Sequence, residues 1–527
     1  MDKTITVLCQ NVQHSRAGTQ QLLINAKNKK SSIICIQEPY TYGDKICGMT
    51  GYQTFSDVSP KSSIATTMAN VFLIQQFTTN NCVCVLVNNQ IPFLIISVYL
   101  SPNDPLQNDL TSPNINNLNN DLNHLSNIIS HYSNYPIIIT GDFNGWHPAW
   151  GGDVTNPRGE IIFDFISSNR LIILNDGLIP TREVNGSATF IDITIVNNKA
   201  LQITNNWEVL EEETQSDHKL ISFEISSDNT SSIQSLTRKY KTSNVDWNNF
   251  DTLAKIGLQQ INEKCTSVKS SSDIKNLVEN LTIRIIDICD KTLPNTKPKK
   301  RMIYWFNDQL KEQQQLCKRL RRKWKRTTNA FLKEIHLNQY ILVRKEYKKQ
   351  LISAKKSSIR AFFSQQNNTT VWKQVYSWCK TPSNLNQNLK SIKTSNGWTS
   401  SPEETARHLL DSFFPDDTPD DPGQSLVTAA ARSASTTRED IPFSREEVLD
   451  AINTESDKKS PGEDGISANI IKRINRLFPN LFYNLFNNCL KYGTFPDQWK
   501  ISIVKIIPKN TANQNSAKSY RPISLLS

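Results

Sequence analysis

The first 225 residues of this 527-residue chain predict an α/β fold, followed by a mainly helical, basic region. Short β-branched runs recur along the segment, and stretches with apolar residues at three- and four-residue spacing separate them. Nearly every apolar run also stops at a polar side chain. The plainest case lies between Pro136 and Trp150, where Ile-Ile-Ile-Thr-Gly is followed directly by Asp142 and then Asn144. Gly-Asp-x-Asn by itself reads equally well as a strand closed by an Asx turn. Its recurrence points to chemistry, because open α/β sheets carry their functional loops at strand ends held by a rigid core.

Taken in order, residues 4–10 alternate Ile5, Val7 and Cys9 with polar residues and end at Asn11. A helix is expected over 20–29, and a strand over 32–37 ends at Glu38, with Pro39 blocking its continuation. Further strands are expected over 71–74, 82–87 and 93–98, the last leading into Tyr99. The Asn-rich stretch 103–123 reads as surface loop leading into a helix over 121–130. Asn156-Pro-Arg-Gly reads as a turn, 160–169 as an amphipathic helix, and 171–174 and 190–196 as strands. The second of these strands holds Asp192 between Ile191 and Ile193, where an acid costs several kcal/mol to bury unless something pairs with it. The candidate partner is His218, in Ser216-Asp217-His218, just before an alternating strand over 220–225. Alone, His218 reads as an ordinary surface histidine.

Together these residues supply what phosphodiester hydrolysis needs. A hard divalent cation takes oxygen ligands and Mg²⁺ keeps several waters, so Glu38 alone or with Asp217 suffices, with Mn²⁺ as the alternative ion. The cation neutralises the phosphate and polarises its leaving oxygen. Asp142 is placed to orient and deprotonate water, Asn11 and Asn144 to hold phosphate oxygens, and Tyr99 to donate to developing charge. His218, held as a cation by Asp192, stabilises the transition state, a contribution of a kind worth ~10²–10⁴-fold.

Asn11, Gln37-Glu38-Pro39-Tyr40, Tyr99, Gly141-Asp142-Phe143-Asn144, Ile191-Asp192 and Ser216-Asp217-His218, in this order, resemble the endonuclease/exonuclease/phosphatase superfamily. Gln10-Asn11-Val12, Glu38-Pro39-Tyr40 and the segment from Trp146-His147 to Trp150-Gly151 are similar to the endonuclease of non-LTR retrotransposons, Jockey-like ones especially. The resemblance implies a four-layer α/β sandwich that nicks DNA with Mg²⁺. By motif position it implies Glu38 at the metal, Asp142 at the water, Asn144 and Tyr99 at the phosphate, and the Asp192–His218 pair at the transition state. Thr181, in Pro-Thr-Arg, matches the family's threonine position and is a candidate DNA contact. The segment between it and Asp192 is short, which leaves the family's DNA-reading hairpin open.

Charge divides the chain. Residues 1–225 carry 12 Lys and Arg against 20 Asp and Glu, a net of −8, and the remainder carries 48 against 29, a net of +19. Such a remainder favours a polyanionic partner, nucleic acid being the commonest. The ten cysteines form no C-x-x-C pair, and Cys82-x-Cys84 fits an apolar strand, so they read as reduced core thiols of an intracellular protein. No hydrophobic stretch reaches ~18 residues and Met1-Asp-Lys-Thr is no signal peptide, so neither membrane spanning nor secretion is expected.

Residues 226–300 read as a Ser/Thr/Asn-rich linker followed by helices over 248–265 and 271–292. Within a basic helical region over 301–400, residues 301–360 hold 17 Lys and Arg against four acids with no Pro or Gly, the pattern of a long helix broken near 327–329. Arg319, Arg321, Arg322, Lys323, Lys325 and Arg326 are its candidate nucleic-acid contacts, a solvated helical face being the plainer reading. Trp305, Trp324, Phe331, Tyr340 and Tyr347 suit core-facing positions better than base stacking. Lys297-Pro-Lys-Lys-Arg resembles a nuclear localisation signal, so a nuclear location is expected, reached from the cytoplasm as a ribonucleoprotein. Residues 401–440 read as a helix over 401–413 and a mobile loop in which Asp416-Asp417 is solvated.

From 441 to 527, Ser444-x-x-Glu447 is a capping box. Lys458-Lys-Ser-Pro-Gly-Glu-Asp-Gly-Ile, Gly493-Thr-Phe-Pro-Asp-Gln-Trp-Lys, Val504-Lys-Ile-Ile-Pro-Lys and Ser519-Tyr-Arg-Pro-Ile-Ser resemble the opening motifs of a non-LTR reverse transcriptase, a truncated set of fingers. The palm carboxylates that this resemblance implies come later, so no polymerase activity is expected. The apolar helix near 477–490 lacks that palm to pack on, so residues 440–527 are expected to be marginally stable and prone to proteolysis or aggregation. The expected function is Mg²⁺-dependent nicking of target DNA for retrotransposition, with target DNA and element RNA as partners, no membrane, and the oligomeric state open. A superfamily phosphatase on small substrates and a non-catalytic nucleic-acid-binding remnant are the rivals.

Overall fold

The computed structural model describes residues 4–102, 113–184, 187–226, 240, 242, 245, 247–293, 305–364, 390–415, 426–430, 441–457, 459–509 and 515–526. Contacts divide the chain into one unit of residues 1–230 with 301–408, and a second of residues 231–300 with 409–527. The basic region is therefore grouped with the α/β segment, and the helices of the 226–300 stretch with the C-terminal segment. The linker before 247 lies largely outside the described residues, as do the basic run 297–301 and Asp416-Asp417.

In chain order the first unit holds β1 (Ile5–Asn11), α1 (Arg16–Asn28), β2 (Ile33–Gln37), the short pair β3 (Thr41–Tyr42) and β4 (Lys45–Ile46), β5 (Gln53–Phe55) and β6 (Ser62–Thr66). These are followed by β7 (Val71–Leu73), β8 (Cys82–Val87), β9 (Phe93–Tyr99), α2 (Pro113–His131), β10 (Ile137–Asp142), α3 (Pro157–Ser168) and β11 (Ile172–Ile173). A hairpin of β12 (Arg182–Val184) and β13 (Ser187–Thr189) leads into β14 (Asp192–Val196), α4 (Asn198–Leu201), β15 (Thr204–Leu210) and β16 (Leu220–Ile225). The strands form two six-stranded sheets, ordered β15-β16-β1-β2-β6-β5 and β11-β14-β10-β9-β8-β7.

Strand period two builds the layers. Val7, Cys9, Ile33 and Cys35 meet Val85, Ile95 and Ile138 between the sheets. Their neighbours Leu8, Ile34 and Ile36 turn outward onto Leu22, Leu23 and Ala26 of α1. On the far side Leu94, Ile96 and Val98 meet Leu118, Leu122 and Leu125 of α2 and Ile162 and Phe165 of α3. The result is the expected four-layer α/β sandwich. Gly141 closes β10 on β9, since a Cβ there would lie 1.9 Å from the Val98 carbonyl oxygen.

Two local expectations are corrected. The Asn-rich stretch before 121 is already helical from Pro113, because Leu118, Leu122 and Leu125 recur at the spacing that buries one face. Asn156-Pro-Arg-Gly is no turn; Asn156 caps α3, its side chain accepting from the Gly159 amide at 2.7 Å, with Pro157 in the first turn.

Four long helices follow, α5 (Trp247–Lys264) and α6 (Ser271–Thr292) in the second unit and α7 (Asp308–Arg326) and α8 (Ala330–Ser364) in the first. The basic helix breaks at 327–329 as expected, and Trp324 stacks on Tyr340 across the hairpin, ring centroids 6.1 Å apart. Trp305, Cys317, Trp324, Tyr340, Tyr347 and Leu351 form one apolar cluster with Ala17 and Ile24 of α1. Sandwiched between this hairpin and the sheet, α1 is buried at every position from Ala17 to Ala26.

In the second unit, Phe250, Leu258, Leu277, Leu281 and Ile285 of α5 and α6 pack with Ile470, Ile474, Leu481 and Leu485 of two C-terminal helices, Ala468–Leu477 and Leu481–Lys491. The apolar helix near 477–490 thus packs on α5 and α6, contrary to the expectation that it lacks a surface to pack on. The capping box is present, with Ser444 Oγ accepting from the Glu447 amide at 3.1 Å and Glu447 Oε2 accepting from the Ser444 amide at 2.7 Å. The segments Ser502–Pro508 and Tyr520–Leu526 pair as an antiparallel ribbon. All nine described cysteines are free, and no described helix is long and apolar enough to cross a membrane.

Candidate active site

Strand register brings the site together from four strand ends. Asp142 lies directly opposite Asp192 in the antiparallel β10–β14 pair and beside Tyr99 in the parallel β10–β9 pair. In the facing sheet Asn11 ends β1 beside Gln37, the residue before Glu38. Asn11 Nδ2 donates to Asp142 Oδ2 at 3.0 Å, and the Asn144 amide donates to Asp142 Oδ1 at 3.1 Å. His218 Nδ1 donates to Asp192 Oδ2 at 2.9 Å, while its Nε2 faces Asp142 Oδ2 across 3.9 Å. Asp142, Asp192 and His218 are 1%, 2% and 3% exposed, so their charges answer to one another rather than to water. Beside them, the Tyr99 hydroxyl donates to Glu38 Oε1 at 2.8 Å.

Two carboxylates and one imidazole without bulk water cannot all keep ordinary protonation. Burial, and then the Asp192 charge, push the Asp142 carboxyl up to about 7 against the pull of His218, Asn11 and the Asn144 amide. Burial also opposes a charged His218, but the adjacent Asp192 carboxylate overcomes it and raises the imidazole to about 9. Burial and the bond to Glu38 hold the Tyr99 phenol far above its usual range, so it remains a donor. The centre therefore offers a carboxylate that ionises near neutrality, a cationic imidazole and a neutral phenol, a combination suited to acid–base work at a phosphorus centre.

Backbone strain gathers here too. Gln13, His14, Glu38, Asn144 and Gln215 adopt left-handed φ values of 52°, 50°, 45°, 51° and 54°. Non-glycine residues hold such conformations at a cost of order 1–3 kcal/mol and keep them only where surrounding bonds over-determine them. The bonds are present: the Gln13 amide donates to Asn11 Oδ1 at 2.8 Å, the His14 amide to the Glu38 carbonyl at 2.8 Å, and Asn144 Nδ2 to the Leu100 carbonyl at 3.0 Å.

A family model described as "Endonuclease-reverse transcriptase" matches residues 93–222, the stretch that carries Tyr99, Asp142, Asn144, Asp192 and His218. The chain is 24% identical to the putative 115 kDa protein of the type-1 retrotransposable element R1DM of Drosophila melanogaster, over 98% of its own length and 50% of that protein. It is 25% identical to the Pol polyprotein of the type-1 element R1 of Bradysia coprophila, over 87% and 45%. Residues 93–222 thus carry an endonuclease–reverse transcriptase domain match, and the homologues of the chain are non-LTR retrotransposon proteins. The chain spans about half the length of these curated relatives. Among solved structures, the endonuclease domain of TRAS1, a telomere-specific non-LTR retrotransposon, is similar at 26% identity and a TM-score of 0.38, over 43% of this chain and 100% of that domain.

Two groups of side chains have the chemistry of a metal site. Asp142, Asp192 and His218 bring one ligand atom each to within 4.8 Å of one another. That trio is already bonded internally through His218 Nδ1, which leaves it better suited to proton work than to coordination. Glu38 and Asp217 offer hard carboxylate oxygens that keep some exposure, 21% and 34% of their side chains, and such a donor set fits a hydrated Mg²⁺.

Sequence reasoning missed two contributors. Gln13 grips Asp217 twice, its Nε2 donating to Asp217 Oδ2 and its Oε1 accepting from the Asp217 amide, both at 3.1 Å. Arg158, buried in the first turn of α3, donates from Nε to the Phe143 carbonyl at 2.9 Å, and burial lowers its guanidinium to about 10 against the pull of Asp142. Reading Asn156-Pro157 as a cap rather than a turn places Arg158 at a helix start facing this loop.

Three expected nucleic-acid contacts are corrected. Thr181 is fully buried, and its hydroxyl accepts from the Ile191 and Asp192 amides at 3.0 Å, so it anchors the strand that carries Asp192 instead of meeting DNA. Arg321 and Lys325 turn inward, each reaching Glu183 Oε2 of the β12–β13 hairpin, at 3.4 and 3.3 Å. Arg319, Arg322, Lys323 and Arg326 are exposed.

Proposed function

We propose that this chain is a Mg²⁺-dependent endonuclease that nicks target DNA for retrotransposition. The observation that carries the reading is the buried Asp142–His218–Asp192 set at strand ends, flanked by Asn11, Asn144 and the Tyr99–Glu38 pair. Asp142, ionised above about 7, orients water and takes its proton. His218, kept cationic by Asp192, donates from Nε2 to a phosphate oxygen as charge builds. Asn11 and Asn144 fix the scissile phosphate, and the Tyr99 hydroxyl adds a neutral donor. Glu38, with Asp217, would hold the Mg²⁺, which neutralises the phosphate and polarises the leaving oxygen. The exposed cations of α7 suit the backbone of DNA or of the element's own RNA, and a protein with these partners works in the nucleus.

The test is incubation of the full chain with supercoiled plasmid and Mg²⁺. Nicked circles are expected, EDTA abolishes them, and Asp142→Asn lowers the rate by about 10²–10⁴-fold while the protein stays folded. Nicking by Asp142→Asn at the unsubstituted rate rules the assignment out.

A further inference from the structure

The loop that delivers Asp217 and His218 to the site is not held by the α/β sandwich alone. Glu213 begins it and is 1% exposed, although no cation of the sandwich reaches its carboxylate among the described residues. Besides the Gln215 amide and Nε2 of the loop itself, which donate to Oε1 at 3.2 and 3.1 Å, its partners come from α8. Arg344 Nε donates to Glu213 Oε1 at 3.2 Å, and the Tyr340 hydroxyl donates to Glu213 Oε2 at 3.2 Å. The same guanidinium reaches further along the loop, Nη2 donating to the Ser216 carbonyl at 2.8 Å and Nη1 lying 4.0 Å from Asp217 Oδ1. A second line runs through α1: the Tyr347 hydroxyl donates to Gln21 Oε1 at 2.7 Å, Gln21 Nε2 to Asn25 Oδ1 at 2.9 Å, and Asn25 Nδ2 to the Glu213 carbonyl at 2.9 Å. Within the loop Gln215 takes a left-handed φ of 54°, and its amide and Nε2 both bond Glu213 Oε1, the oxygen that Arg344 also holds. Beyond it, Ser216 Oγ donates to the Asn11 carbonyl at 2.7 Å, which joins the loop to the residue that holds Asp142.

We propose that the α7–α8 hairpin is an integral part of the endonuclease, and that Arg344 is a positioning residue which seats the 213–218 loop and thereby fixes Asp217 and His218. The inference rests on the nicking activity proposed above for its kinetic half and on geometry alone for its structural half. A two-pronged guanidinium suits the task, because one rigid plane satisfies a buried carboxylate and a loop carbonyl together, which an ammonium cannot do. Arg344 touches no reacting atom. Its loss misplaces groups that do, and partners standing behind reacting groups in this way are typically worth 10–100-fold.

The test uses the full chain and two readouts. Hydrogen–deuterium exchange over residues 211–220 reads the loop directly, and plasmid nicking separates kcat from KM. Arg344→Ala is expected to speed exchange in 211–220 and lower kcat by about 10–100-fold with KM for plasmid nearly unchanged. Arg344→Lys keeps a cation beside Glu213, so it folds even if the alanine variant does not, and it is expected to fall between the two. Replacing Glu213 by Gln in the Arg344→Ala background removes the uncompensated buried charge and restores much of the exchange protection. Lys349→Ala, an exposed cation farther along the same helix, leaves loop exchange unchanged. Exchange over 211–220 in Arg344→Ala and Arg344→Lys indistinguishable from the unsubstituted chain overturns the inference. An unsubstituted chain that fails to nick defeats the functional reading while exchange still decides whether Arg344 holds the loop.

Discussion

Two acidic clusters lie in the first unit, and they are treated in opposite ways. At the strand ends, two buried carboxylates, Asp142 and Asp192, share one imidazole, so the cluster is short of positive charge. At the seam with the hairpin, Glu183 alone faces Lys219, Arg321 and Lys325 at 3.3–3.4 Å, Glu212 pairs with Lys318, and Glu213 with Arg344. Both clusters are built from acids on the α/β sandwich. The difference is whether cations arrive to meet them. Full pairing produces a seam that holds two parts of the chain together, whereas deliberate under-pairing produces groups whose protons are poised to move. In the paired cluster three cations hold the Glu183 carboxyl below its usual range despite burial, and in the under-paired one Asp142 is pushed up.

The sharpest way to break this contrast is to neutralise one acid in each cluster and compare stability at pH 8. Asp142 is ionised there at a cost, because its folded pKa of about 7 lies above that of a free carboxyl and stability falls as pH rises through it. Asp142→Asn removes that cost, so its urea midpoint is expected to rise even as nicking is lost. Glu183→Ala does the reverse. Lys219 Nζ, 1% exposed by side chain, lies 3.4 Å from Glu183, and burial already lowers its ammonium to about 8, so without Glu183 it must stay buried unpaired or give up its proton, and the midpoint is expected to fall. Midpoints that move in the same direction for both variants would remove the distinction between the clusters.

A smaller effect sharpens the under-paired side. In metal-free protein, NMR titration of His218 is expected to report a value of about 9, above the ~6.5 of an unperturbed imidazole. With the folded value raised, the Asp192–His218 pair stabilises the fold fully below about 6.5, and that stabilisation is lost as pH climbs to about 9. Asp192→Asn leaves burial opposed by Asp142 alone, so the value is expected to drop. An unchanged titration in that variant would mean that Asp192 does not set the charge of its neighbour.

The two clusters also differ in how far they were legible. Every polar residue at the strand ends sits within two residues of an apolar run, so period and terminus together pointed to Asn11, Glu38, Tyr99, Asp142 and Asp192, whereas His218, alone an ordinary surface histidine, gained its place from the partner that Asp192 needs and from the motif order. The seam has no such local signature. Its acids lie 106 or more residues from the hairpin cations that meet them, and the sequence displays a charge block without displaying what neutralises it. The +13 of residues 301–360 suggested a polyanion, and part of that charge is answered by Glu183 and Glu211–Glu213 of the same chain. The edge strands β5 and β15 escaped for a related reason. Both are sheet edges with exposed polar positions, and Thr-Asn-Asn-Trp-Glu does not read as a strand until a neighbour supplies its ladder.

If the hairpin binds nucleic acid as proposed, salt dependence separates the cations committed to the seam from those that meet phosphate. Each phosphate contacted by Lys or Arg releases condensed counterions, so log affinity for duplex DNA falls with log salt by about 0.9 per contact. Arg319 and Arg322 are exposed on α7, whereas Arg321, 12% exposed by side chain, lies against Glu183 and donates to the Glu212 carbonyl at 3.3 Å. In an Asp142→Asn background, which binds without cutting, Arg319→Ala and Arg322→Ala together are expected to flatten the slope by up to about 1.8, with the urea midpoint unchanged. Arg321→Ala is expected to leave the slope alone and to lower the midpoint, because its work is done inside the protein. If Arg321→Ala instead flattens the slope as much as an exposed arginine does, the seam opens when DNA binds, and the paired cluster is a latch rather than a permanent joint.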